Sequence, residues 1–219
     1  LINTRRFRLL FARGECLKFI SHLDMMRLWP RLFRRAGLGI AYSEGFNAHP
    51  RLAVASPLAV GWTGEAELME VWLENPPAVQ TALGLLSAVL PEGLTIDQGI
   101  FLPLEGPSLQ SMMRFAEYRV TLPLDRPAEV INKAVGDLLG QATLEWSHKR
   151  DDETRHYDLR TQIDDITVEA FGRDSVNLSM RLKNDPSGSG RPEQVALALG
   201  FAQHPMAIHR VRLVLAQDN

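Results

Sequence analysis

Apolar residues in the first half of the chain change period in a fixed order. Phe7, Leu9 and Phe11 alternate at period two, the spacing of a strand buried on one face. "CLKFI" at 16–20 reads as a further extended run after the turn at 13–15. From Ser21 the period lengthens, and Leu23, Met26, Trp29, Phe33 and Ala36 recur near helical spacing. Period two returns at 51–56 and 65–74. A second helix of about 78–90 opens after Pro76 and Pro77, and 94–102 reads as a strand. The order is β-α-β-β-α-β, the split βαβ pattern.

The same order recurs further on. Strands fall at 115–123, 142–149, 155–163, 166–171, 175–183 and 207–215. Helices fall at Pro127–Leu139 and 191–201. The chain therefore reads as an α+β protein of two tandem ferredoxin-like (βαββαβ) halves, antiparallel sheets with helices on one face. The halves are 1–104 and 114–219, and 105–113, with Pro107 and Gly106, is the linker.

Ser21 and Asp24 have the spacing of a capping box, and Gly37 is a natural helix stop. Pro30 sits between them. A proline inside a helix removes a hydrogen bond at a cost of about 3 kcal/mol, so a kink or two short helices are expected there.

Charge is distributed in blocks. Residues 1–51 hold ten Lys/Arg against three Asp/Glu, a net of +7. Residues 52–110 hold seven acids and no Lys or Arg. Arg27, Arg31, Arg34 and Arg35 share one helix face, a row suited to phosphates. The alternative is that this row pairs with the acidic strand Glu65, Glu67, Glu70 and Glu74.

The loop "YSEGFNAHPRL" follows that helix. Gly45 permits a positive φ, Asn47 offers an amide, and His49 before Pro50 is biased to extended backbone. Arg51 can fork onto a phosphate or carboxylate. One reading is a rigid anion- or RNA-binding loop in which His49, Arg51 and the arginine row converge on one positive hollow. The other is a loop stapled into the core by Tyr42 and Phe46. The binding residues expected on the first reading are Arg27, Arg31, Arg34, Arg35, Tyr42, Phe46, Asn47, His49 and Arg51. His22 and His49 together are a candidate acid/base pair for metal-independent RNA cleavage. The other reading, and the favoured one, is that His22 is an exposed first-turn residue and Asp24 a cap. His148, Lys149, Arg155, His156, Asp158 and Arg160 cluster on a charged hairpin.

The single cysteine, Cys16, excludes an intrachain disulfide and a four-cysteine metal site, and reads as a small buried residue. No Walker, HExxH or GxSxG motif occurs. No apolar run approaches the roughly 20 residues of a membrane span, so a cytoplasmic protein is expected.

At "FISHLDMMR", "YSEGFNAHPRLAVASPLAVG" and "RHYDLR", and again at "RPEQVALALGF" and "HRVRLVL", the chain resembles the radical-SAM-linked proteins. This is a family of unknown function whose members are fused to, or encoded beside, radical SAM proteins. Ala48, Ala59 and Thr161 stand where that family commonly has proline. The resemblance implies a radical SAM partner that carries the iron–sulfur cluster and S-adenosylmethionine. It implies no cofactor in this chain, because one cysteine does not ligate such a cluster. The expected function is a non-catalytic accessory module that binds RNA, or another anionic substrate, for that partner. The alternatives are the ribonuclease and a protein-interaction scaffold without nucleic acid.

Overall fold

A computed structural model describes residues 2–150 and 153–216, the side chains of 148–150, 153 and 155 excepted. It has two compact units, Leu1–Met112 and Met113–Asn219, and an α+β fold.

In the first unit the elements are β1 (Thr4–Arg13), α1 (His22–Arg35), β2 (Gly39–Ile40), β3 (Leu52–Val54), β4 (Thr63–Glu74), α2 (Val79–Ser87), β5 (Leu94–Leu102) and α3 (Leu109–Met112). Strand β1 is central, antiparallel to β4 on one side and β5 on the other. Both short strands, β2 and β3, lie along β4. Phe7, Leu9 and Phe11 of β1 alternate into a core with Met69, Val71 and Leu73 of β4. Helix α1 covers this face with Met25, Trp29, Leu32 and Phe33. Trp29 is fully buried and meets the Phe11 ring edge-on at 5.0 Å. Burying a side chain of this size is worth about 1.5–3 kcal/mol or more.

Several sequence expectations are corrected here. Of the two outcomes expected at Pro30, two short helices are not formed: α1 continues through it as one helix. Its buried face is Met25, Trp29, Leu32, Phe33 and Ala36, while Leu23 is exposed. The spacing of four, three, one and three follows 3.6 residues per turn with one dominant buried tryptophan. Residues 15–17 form a 3-10 turn rather than a strand, and Cys16 is exposed. Leu109–Met112, in the expected linker, is helical, and Met113 already opens the next strand.

The caps of α1 are those the residues suggest. Ser21 Oγ accepts from the Asp24 N–H at 3.2 Å and donates to Asp24 Oδ2 at 2.7 Å. At the other end Gly37 has φ +73. The Leu38 N–H reaches back to Phe33 O at 2.9 Å and the Gly37 N–H to Arg34 O at 3.1 Å. This is a Schellman closure, with Leu38 buried behind it.

The second unit contains β6 (Met113–Pro123), α4 (Ala128–Gly140), β7 (Glu145–Arg150), β8 (Glu153–Asp158), β9 (Ile163–Phe171), β10 (Ser175–Asp185), β11 (Gly188–Ser189), α5 (Pro192–Ala198) and β12 (Ala207–Leu215). Strand β6 is central, antiparallel to β10 and β12. Strands β9 and β11 pair with β10, and β7 and β8 form a separate hairpin. Tyr118, Val120 and Leu122 of β6 are buried, as are Ile131, Val135 and Leu138 of α4. Residues 159–162, expected inside a strand, form a 3-10 turn.

Candidate functional site

The outer face of α1 carries the arginine row. Arg27, Arg31, Arg34 and Arg35 are all exposed, because Trp29 and Phe33 fix the opposite face in the core. Arg27 donates to Asp24 Oδ1 at 3.2 Å. Among the described residues, Arg31, Arg34 and Arg35 have no acid within ion-pair distance. Arg34 and Arg35 also occupy the last turn, where a cation meets the negative end of the helix dipole.

The acidic strand is engaged by different arginines. Glu70 is buried and accepts Nε and Nη2 of Arg6 on one oxygen, at 2.9 and 2.7 Å. Its other oxygen accepts Nε and Nη2 of Arg8, at 3.0 and 2.8 Å. Both arginines come from β1, whose register sets Arg8 opposite Glu70. The alternative pairing of the α1 row with the Glu65–Glu74 strand does not hold at Glu70, which is taken by a β1–β4 cluster.

The 42–51 loop is a short hairpin. The Arg51 N–H donates to Ala41 O at 2.8 Å, Tyr42 bridges Pro50, and the Ser43 N–H donates to His49 O at 2.8 Å. Ser43 Oγ accepts from the His49 N–H at 3.0 Å. Gly45, at φ +112, bends the tip. Phe46 is fully exposed and Tyr42 about half exposed, so neither staples the loop into the core. Asn47 is exposed, and no backbone group of the described residues is held by its amide. The Ser43–His49 bond spans six residues, so it ties the hairpin across its stem and lies beyond the reach of a local ST turn.

Arg34 and Tyr42 line one open groove of about 360 Å³ with Pro30, Gly37, Leu38, Gly39 and Ile40. Helix end and hairpin stem thus meet there. Arg51 does not line it. Leu52 and Val54 pack with the core that holds Trp29 and Phe33, so Arg51 alternates to the other face of the sheet. Its guanidinium rests 4.8 Å from the Trp72 ring, on the side where Glu70 lies. His49 is exposed on the hairpin and does not line the groove. The expected convergence of His49, Arg51 and the arginine row on one hollow is corrected by this alternation.

His22 lines a different cavity, of about 20 Å³, with Arg13, Trp29, Ser56 and Glu67. That is room for about one water. It lies at the first turn of α1, whereas the hairpin follows the last. At 1.5 Å per residue the helix puts roughly 20 Å between its ends. His22 thus opens onto a cavity that His49 does not line.

In the second unit two of the charged residues singled out in the sequence, Asp158 and Arg160, hold backbone groups. Asp158 accepts the N–H groups of Leu144 and Arg160, at 2.8 and 2.9 Å. Arg160 donates to Ile163 O at 2.6 Å and Leu139 O at 3.1 Å. His156 is exposed. The side chains of His148, Lys149 and Arg155 lie outside the described residues. Among the described residues no group of three His, Cys, Asp or Glu is placed to hold a metal ion. No helix among them is long and apolar enough to cross a membrane.

Fold and site define an α+β protein with an exposed basic helix face and an aromatic-tipped hairpin after it. Residues 6–192 match the family described as "uncharacterized protein conserved in bacteria (DUF2344)", and the chain belongs to it. No curated protein matches. Among solved structures the chain is similar to one from a Cbf5–Nop10–Gar1 complex, with TM-score 0.51 and 12% identity, covering 95% of this chain and 48% of that one. It is also similar to one from the archaeal box H/ACA sRNP Nop10–Cbf5 complex, with TM-score 0.46 and 12% identity, covering 95% and 47%. A third likeness is to an unknown protein from Galdieria sulphuraria, with TM-score 0.28 and 14% identity, covering 90% and 91%. The chain spans about half the length of the first two chains. At these identities the likeness is one of fold alone.

Proposed function

We propose that this chain is a non-catalytic accessory module that binds RNA for a radical SAM enzyme. The observation that carries the RNA part is the row Arg31, Arg34 and Arg35. These are exposed guanidinium groups on one helix face, without an acidic partner among the described residues, beside a groove that shares Arg34 with Tyr42. A self-pairing row is what a scaffold without nucleic acid requires. The acids that would supply it are engaged elsewhere in the case of Glu70. His22 lines a cavity that His49 does not, which weighs against a two-histidine cleavage site. The site residues on this reading are Arg31, Arg34, Arg35, Tyr42 and Phe46, with Arg27 and Asn47 at its margin.

The partner part rests on the "GFNAHPR" and "FISHLDMMR" resemblance. A radical SAM enzyme would supply the cluster and S-adenosylmethionine, and this chain would hold the substrate. The two units are read as ferredoxin-like halves. Their strand orders, β5-β1-β4 with β2 and β3 beyond, and β12-β6-β10-β9, support it.

The test is fluorescence anisotropy of labelled RNA over a salt series. Affinity is expected to fall log-linearly as salt rises, as counterion release requires. Flat salt dependence, or no binding at low salt, would overturn the reading.

A further inference from the structure

We infer that the groove and hairpin tip take unpaired nucleotides: one base stacks on Phe46, another on Tyr42, and phosphates lie on Arg34 and Arg31. This rests on the RNA reading above and narrows it to single strands.

The argument begins with Phe46, a fully exposed ring at the apex of a glycine-bent turn. The stem is not loose. Three successive backbone pairings, 41 with 51, 42 with 50 and 43 with 49, hold it, and the Ser43 hydroxyl closes it. The stem thus fixes where the tip stands, and the ring on it is open to a surface that arrives from outside. Tyr42, four residues back, contributes to the groove with Arg34. Four residues of extended chain reach at most about 13 Å, so both rings serve one short segment of ligand.

The ligand's chemistry follows from what lies next to the rings. An apolar protein partner asks for an apolar surround. Phe46 instead neighbours Asn47 and His49 in the hairpin, and Tyr42 of the same hairpin lines a groove with Arg34. Two acids lie in this region, Glu44 on the hairpin and Glu74 opposite Gly39, against three arginines without an ion-pair partner among the described residues. Aromatic rings interleaved with a basic track are the means by which single strands are held without sequence preference, since every base has a stacking face. In a duplex those faces are already stacked on each other. The arginine row therefore serves single strand and duplex alike, whereas Phe46 serves the single strand alone.

That difference gives the experiment. Anisotropy is measured with a labelled oligouridine of about 12 nucleotides, within the range of single-strand site sizes, and with an RNA duplex of equal length. Wild type is expected to prefer the oligouridine. Phe46→Ala is expected to weaken oligouridine about tenfold and leave the duplex unchanged. Phe46→Trp should restore it and Phe46→Leu should not, because stacking needs a plane rather than apolar volume. Because the ring touches no core residue, circular dichroism should be identical in all three variants. Salt-dependent binding with no single-strand preference, or with no effect of Phe46→Ala, would overturn this inference and leave the RNA reading standing. Absence of salt-dependent binding to either probe would overturn both.

Discussion

Arg6 donates both Nε and Nη2 to a single carboxylate oxygen of Glu70, with both side chains buried. The other oxygen is taken by Arg8, and Arg6 Nη2 also reaches Pro107 O at 2.7 Å. One acid thus fixes two adjacent arginines of β1 against β4 and ties the 103–108 segment to the same spot.

Glu70→Gln is expected to be strongly destabilising. It keeps the shape but leaves the buried Arg6 guanidinium without a counter-charge. Breaking one side of a buried ion pair costs about 3–5 kcal/mol. Urea unfolding checks it. The midpoint should fall with little change in slope, and a change within about 0.5 kcal/mol would mean that the Arg6 charge is satisfied by carbonyls alone.

Arg31→Ala is expected to reduce the slope of log affinity against log salt by about 0.7 for a single-stranded RNA, the signature of one lost phosphate contact. Arg51→Ala should leave that slope unchanged. Its side chain lies on Trp72 across the sheet, so the substitution should instead alter tryptophan emission and cost about 0.5–1 kcal/mol of stability. Equal slope losses in the two variants would place both arginines on the ligand.

The contrast between these two arginines marks what was legible in the sequence. The extent of α1 was readable because its signals are local: Ser21 and Asp24 at one end, Gly37 at the other. Its buried face differs from the expected one at Leu23 and Met26, in place of which Met25 and Leu32 are buried, because all four are apolar and only tertiary contact decides among them. The acidic strand was recognised, but its partners were sought on the helix. The Arg8–Glu70 pairing depends on the register of strands 62 residues apart, which local pattern does not carry. Arg51 was the avoidable error. The alternation Leu52, Val54 inward already sends Arg51 outward, to the face away from α1.

Gly37→Ala is expected to cost about 1–2 kcal/mol of stability, the penalty of a left-handed backbone for a residue with a Cβ. No atom lies within 4 Å of where that Cβ would sit, so conformation alone is tested. The readout is the urea midpoint, with Gly84→Ala, inside α2, as the control. Gly84 has φ outside the left-handed range and equally open space, and there alanine should stabilise slightly. A neutral Gly37→Ala would show that the helix end relaxes into another closure.

Arg212→Ala is expected to change how stability depends on pH. Arg212 donates to both oxygens of Glu117, at 2.7 and 2.9 Å, and Arg181 lies 3.7 Å from one of them. The Arg212 hydrogen bonds hold the Glu117 carboxyl below its ordinary value against the opposing effect of burial. A carboxyl lowered in the folded state stabilises fully above its unfolded value, and the gain disappears as pH falls through the lowered one. Much of the Arg212 side chain is exposed, so solvent screens the pair and about 0.2–1 kcal/mol is the expected size. Unfolding free energies at stepped pH should differ between wild type and variant at neutrality and converge in acid. Side-chain carboxyl NMR should place the Glu117 titration higher in the variant. A difference that persists unchanged at the acid end would assign Arg212 a packing role in place of an electrostatic one.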